Sequence, residues 1–168
     1  MGTDHLSTFE SSLAGTATVY VTAADEFPGT LESAIEEPAV GTPLPFDGVS
    51  YEDTPVTTDP TPREVRDAET GVTPAGIGIA DYGTVTLPSR ETPDEVVALY
   101  PVTHVAVVAA SDLVGDMPSA YESLSEDFAA GTDTQILATG PSTTADMGAL
   151  VQGVHGPQET TVVVLEDR

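Results

Sequence analysis

The chain has 168 residues, and 28 acidic side chains stand against four basic ones, all arginine, for a formal charge of −24 at pH 7. That field repels nucleic acid and anionic membrane surfaces. The lack of any cysteine excludes disulfides, thiolate catalysis, cysteine-bound zinc and an iron-sulfur cluster held by this chain.

Apolar residues make up 39% of the sequence, too many for a disordered acidic chain, so one folded domain over residues 1–168 is expected. Acids spread along the whole length, with no lysine and many small apolar residues, resemble the surface of a protein from a halophilic source. Molar salt would screen the self-repulsion, because the Debye length falls to about 3 Å at 1 M. The opening MGTDHLSTFESSLAG has neither a basic region nor a long apolar run, and no window approaches the length of a membrane span. The expected location is cytoplasmic.

In chain order, Leu6, Phe9 and Leu13 mark one side of a helix over Leu6 to Ala14, and the β-branched run Ala17 to Thr22 reads as a strand. A second helix is expected over Gly29 to Glu37. Between Pro38 and Pro62 the composition turns to Pro, Gly, Thr and Asp, which predicts irregular or edge structure with only short strands such as Gly48 to Tyr51. Residues 1–60 thus form a variable N-terminal part, and 61–168 a more regular core.

That core opens with a capped helical turn at Pro62 to Ala68. "GIGIADYGTVTL" predicts a hairpin of strands Gly76 to Ala80 and Thr84 to Leu87, hinged at Asp81-Tyr82-Gly83. A helix over Pro93 to Tyr100 precedes the apolar strand "VTHVAVVAA". A helix over Pro118 to Ala130, the strand "TQILATG", a helix over Thr143 to Gln152 and the strand "TTVVVLED" follow. Apolar runs without period-2 alternation are what strands look like when crossover helices bury both faces. The fold class is therefore α/β, with a mostly parallel sheet flanked by helices.

The densest specification lies in "ATGPSTTADMGALVQGVHGP", Ala138 to Pro157. Gly140-Pro141 ends a strand, and Thr143 with Asp146 has capping-box spacing. Met147, Leu150, Val151 and Val154 recur at i, i+3, i+4 and i+7, and Gly153 stands where a helix would end before Gly156-Pro157. A well-specified strand-helix-strand unit accounts for this pattern. A ligand site at the carboxyl end of the strand, using the backbone amides of Gly140 to Thr143 and the hydroxyls of Ser142 and Thr143, accounts for it equally. Such a helix is about 15 Å long, which would put the loop at Gly140 and the loop at His155 at opposite edges of the sheet.

Other chemistry-bearing residues are few. His5 lies near the start, and His104 and His155 each have a plain reading as structural hydrogen-bonders. Two histidines without a local third ligand predict no metal site. The pairs Glu36-Glu37, Asp94-Glu95 and Glu126-Asp127 read as solvated faces. Asp81 and Asp146 stand out by position, one in a turn before Gly-Thr and one in the first turn of the expected helix.

Three stretches resemble, in order, the LUD (lactate-utilisation) domain family in its LutC/YkgG-like branch. "GPSTTADMGALVQGVHGP" is similar to its G-P-S-R-T-A-D-I and G-V-H-G-P signature, "IADYGTVTL" to its A-E-T-G-T segment, and "ALYPVTHVAVV" to its L-x-P-x-x-H segment. They span Gly71 to Leu165. Thr143 replaces the family's arginine, Asp81 its glutamate and Tyr82 its threonine.

The resemblance implies a fold like that of the glucosamine-phosphate isomerase, ribose-phosphate isomerase and CoA-transferase group (NagB/RpiA-like). It implies a cluster-free accessory subunit of an iron-sulfur complex that oxidises L-lactate to pyruvate, with clusters only in partner subunits. Those partners would be an iron-sulfur LUD-domain protein and a cysteine-rich iron-sulfur protein. The implied ligand site holds a small anion between Gly83, Thr84, Gly140, Pro141, Ser142, Thr143 and Asp146, with His104 and Asp81 as catalytic candidates. Gly153, His155, Gly156 and Pro157 form the second motif. The alternatives are a stand-alone enzyme or binding protein for a phosphorylated or CoA-linked metabolite, or a non-catalytic structural or regulatory partner.

Overall fold

In the computed structural model, which describes residues 2–146 and 148–168, six strands form one wholly parallel sheet. They are β1 (Thr18–Thr22), β2 (Ala39–Gly41), β3 (Val56–Thr58), β4 (Thr70–Pro74), β7 (Thr103–Ala109) and β12 (Glu159–Leu165). Their spatial order is β1-β12-β7-β4-β2-β3. The apolar runs of β7 and β12 lie side by side in the centre and are almost wholly buried. This is the α/β arrangement with a mostly parallel sheet that the sequence predicts, and residues 1–60 supply three of its six strands.

One face of the sheet carries the helix α1 (Gly2–Leu13), whose Phe9 and Leu13 pack against Ala106, Val108, Val162 and Val164. On the other face lie Phe27 and Leu31 of α2 (Phe27–Ala34), with Leu44, Phe46, Val49 and Tyr51 from the Pro-rich segment. That segment is therefore folded onto the core. The expected strand at Gly48 to Tyr51 is a turn instead, with Gly48 at φ 74°.

α3 (Pro62–Asp67) begins with a complete capping box: Glu64 N–H donates to Thr61 Oγ1, and Thr61 N–H donates to the Glu64 carboxylate. β4, which follows, was not legible as a strand because "TGVTP" is written in turn-forming residues, yet all five are buried. The reason for Gly71 is packing. A Cβ there would run into the Val97 carbonyl of α4 (Asp94–Leu99), so the glycine lets helix and sheet approach closely.

A smaller four-stranded sheet lies over the α1 face, in the order β8-β5-β6-β9. β5 (Gly78–Ile79) and β6 (Thr84–Pro88) form the predicted antiparallel hairpin, turned by a short 3-10 segment at 80–82 and by Gly83 at φ 60°. β8 (Leu113–Val114) pairs with β5. β9 (Gln135–Ala138) pairs with β6 beyond α5 (Met117–Ala130), whose N-cap is Asp116.

The largest correction concerns Thr143 to Gln152, which is not a helix. β10 (Thr143–Thr144) and β11 (Val151–Gln152) pair antiparallel as the stem of an excursion. Gly148 (φ 80°) and Gly153 (φ 76°) adopt left-handed conformations that a continuing helix does not accommodate. The capping box of Thr143 and Asp146 is absent: Asp146 N–H donates to the hydroxyl of Thr144. Leu150, Val151 and Val154, the supposed buried stripe, are exposed by 75%, 37% and 42%, and Met147 lies outside the described residues.

Asp94 is a second correction. It is 4% exposed rather than on a solvated face, and its carboxylate is gripped by Arg90 through Nε and Nη2 and by the Thr92 hydroxyl. Arg90 also donates to the Pro43 carbonyl, tying the Pro-rich segment to α4.

Candidate functional site

His104 is the second residue of β7. Strand register places it opposite Gly71 of β4 on one side and Thr160 of β12 on the other. Residues in register on parallel strands share a face, so His104 and Thr160 project together toward the smaller sheet. Gly71 has no side chain to set beside the ring, and Thr73, two residues on, meets the imidazole at 2.9 Å between Oγ1 and Nε2.

His104 is 2% exposed. Burial pushes its pKa down from 6.5 to about 4, so the imidazole is neutral at pH 7. Thr160 is 6% exposed, and its hydroxyl has no hydrogen-bond partner among the described residues. A buried hydroxyl without a partner is costly.

Both side chains face a cavity of about 220 Å³. Leu87, Ala98, Leu99 and Ile136 to Ala138 make its apolar wall, and Thr139 to Ser142 with His155 to Pro157 close it. The two motif loops therefore meet, contrary to the separation that a 15 Å helix would impose. Ser142 N–H donates to the Pro157 carbonyl at 2.9 Å, and Gly153 N–H donates to the Ser142 carbonyl at 2.9 Å. Because the segment between them is a hairpin excursion, its ends return to one place.

Gly140 and Gly156 make this closure possible. Gly140 sits at φ 66°, where an added Cβ would run into Thr16 Cγ2, and a Cβ on Gly156 would come within 3.2 Å of Ser142 Cβ. The loop does follow the carboxyl end of a strand, but that strand is β9 of the small sheet. Relative to the six-stranded sheet, the cavity lies at the amino ends of β7 and β12. No helix begins at Gly140, and the Ser142 amide is already taken, so the anion-binding helix terminus expected there is not built.

Of the residues singled out in the sequence, His104, Gly140, Pro141, Ser142, His155, Gly156 and Pro157 line the cavity. Thr84 stands one step behind, hydrogen-bonded to the Thr139 hydroxyl, and Gly153 braces Ser142. Asp81, Gly83, Thr143 and Asp146 are not in the wall. Asp81 is exposed in the hairpin turn, Gly83 packs against Leu13, and Thr143 and Asp146 are exposed on the excursion. Thr73, Thr139 and Thr160 are the polar groups that sequence reasoning missed. Thr73 and Thr160 lie within strands and carry no local mark, so only the register reveals them, while Thr139, just beyond β9, shows itself by its bond to Thr84.

No arginine lines the cavity. Arg90 serves Asp94, Arg63 and Arg66 pair with Asp67, and Arg168 bonds the Asp47 carbonyl and Asp167. Among the described residues no three His, Asp or Glu side chains gather as a metal site. Ser142 and His155 both line the cavity, yet no hydrogen bond joins them, so this pair is not set up as a nucleophile with its base.

The sequence pattern of the LUD domain matches residues 47–165. The chain belongs to the LUD domain family. The match starts at residue 47 rather than at Gly71, so it takes in the Pro-rich segment. This LUD domain is 34% identical over 110 residues to lactate utilization protein C of Bacillus subtilis, covering 63% of this chain and 46% of that protein. The protein of the same name from Bacillus licheniformis is 36% identical with the same coverage. The chain thus matches a little under half the length of these relatives. A crystal structure of a DUF162 family protein from Deinococcus radiodurans superimposes with a TM-score of 0.74 over 99% of both chains. At 22% identity, that likeness concerns the fold of this LUD domain alone.

Proposed function

We propose that this LUD domain takes part in lactate utilisation as the cluster-free accessory subunit of an iron-sulfur complex that oxidises L-lactate to pyruvate. The observation that carries the reading is the 34–36% identity to proteins named lactate utilization protein C. Two features of the chain support it. With no cysteine, it has no ligands for clusters of the usual thiolate kind, so electrons from the substrate would pass to an iron-sulfur LUD-domain protein and a cysteine-rich iron-sulfur protein. The cavity, at about 220 Å³, is smaller than the roughly 300–1,000 Å³ typical of drug-sized ligands, a size that suits a three-carbon acid.

In this role the cavity binds and orients a small acid: the apolar wall excludes water, and His104 and Thr160 supply polar contacts. The alternative of a phosphorylated or CoA-linked ligand fits less well, since no arginine or lysine lines the wall and CoA exceeds its volume. The test is affinity capture of the chain from lactate-grown cells in molar KCl. A cysteine-rich, iron-bearing chain and a second LUD-domain chain should come with it. Recovery of the chain alone, with unimpaired growth on L-lactate after its deletion, would refute the proposal.

A further inference from the structure

The cavity poses a charge problem. A carboxylate enclosed without a counter-charge carries a large desolvation penalty, and this cavity lies in a chain of charge −24. Among the described residues its lining includes no arginine and no carboxylate, and the titratable side chains there are His104 and His155. His155 is exposed at the mouth, whereas His104 is buried at the floor, beside the unpartnered hydroxyl of Thr160. The His104 register neighbours Gly71 and Thr160, its hydrogen-bond partner Thr73, and Ala98 of the same lining bear no charge.

We infer that the cavity binds a small monocarboxylate together with one proton taken from solvent, the proton residing on His104 and the Thr160 hydroxyl donating to the ligand. The inference rests on the reading of this cavity as the site for a hydroxy or keto acid, and it goes further by fixing the charge state. Nε2 is already engaged with Thr73, so Nδ1 is the atom left to meet the carboxylate. Protonating the imidazole turns an uncharged contact into a charge-assisted one, and the ligand supplies a counter-ion that the lining does not. One imidazolium balances a single negative charge, so a phosphate dianion keeps an uncompensated charge and is rejected.

Isothermal titration calorimetry on the full chain in molar KCl, in two buffers of different ionisation heat, tests this with L-lactate, pyruvate and inorganic phosphate. Between pH 5.5 and the point where the bound imidazole loses its proton, lactate affinity should weaken about tenfold per pH unit, with close to one proton taken up. Phosphate in its dianion form, at the alkaline end of the series, should give no saturable heat. H104Q, which can keep a hydrogen bond to Thr73, should lose the pH slope. T160V should weaken binding severalfold and keep the slope.

Several results would overturn the inference: pH-independent affinity without proton uptake, a slope retained in H104Q (proton on the ligand), or a slope lost in H155Q. Binding of the phosphate dianion as tight as that of lactate at the same pH, or no binding of either acid at tens of millimolar, would also do so. If H104Q does not fold, the wild-type proton count and the imidazole nitrogen NMR shifts with and without lactate decide the matter alone. Partner capture does not depend on any of these readings, so failure here and failure of the lactate-complex proposal are separately visible.

Discussion

Replacing Thr73 by valine isolates the contact that positions His104. Thr73 is fully buried and its hydroxyl meets His104 Nε2 at 2.9 Å, so the substitution keeps the shape and leaves a buried ring nitrogen without a partner. That loss costs about 1–3 kcal/mol. The added methyl returns up to about 0.8 kcal/mol, so from the middle of that range the net destabilisation is roughly 1–2 kcal/mol. In a chain of this size each kcal/mol lowers Tm by about 2–4 °C, so thermal unfolding followed by circular dichroism in molar KCl should show a fall of roughly 2–8 °C. H104L alone should be destabilising too, since it orphans the Thr73 hydroxyl. The double variant should lose less than the sum of the two, by about 1 kcal/mol. A T73V midpoint within about 1 °C of the parent, or strict additivity in the cycle, would refute the contact.

Stability should depend on pH through the same histidine. The native pKa lies near 4 and the unfolded value near 6.5. The unfolded chain therefore binds a proton first, and stability falls as pH drops through that window, by about 3 kcal/mol in all. Denaturant titrations at several pH values should show a shallower dependence in H104Q, and an unchanged one would contradict the burial of a neutral imidazole. G140A should cost about 1–3 kcal/mol and abolish lactate binding, because a Cβ at φ 66° would overlap Thr16 Cγ2. An intact calorimetric signal in G140A would show that the loop does not close the site. Far-UV circular dichroism against KCl should show the native signal lost on dilution into salt-free buffer, as expected of 28 acids and four bases; a fully native signal without salt would exclude salt-dependent folding.

Much of the frame was legible because local and global signals agree in it. β7 carries the unbroken apolar run Val105 to Ala109 and β12 the run Val162 to Leu165, as sheet-centre burial requires, and "ADYGT" has the turn chemistry of the hairpin it forms. β4 was hidden because its glycine answers to a helix carbonyl about 26 residues later in the chain, not to its neighbours. Asp94 looked solvated because no local feature announces that Arg90 folds back over it. The excursion at Thr143 to Gln152 misled because Leu150, Val151 and Val154 fall at helical spacing on a surface that buries none of them, while Gly148 and Gly153 set the backbone. That misreading separated two loops that meet, and it hid Thr160, whose place beside His104 is a matter of strand register.

The central claim is that His104, Thr160 and both motif loops form one small-acid site. Amide chemical-shift mapping of the full chain in molar KCl with L-lactate tests it most directly. A single saturable set of shifts should centre on His104, Thr160, Gly140, Ser142 and Gly156, while Asp81 and Asp146 stay still. Shifts confined to the Asp81 turn or the exposed excursion, or no saturable shift at all, would contradict the account.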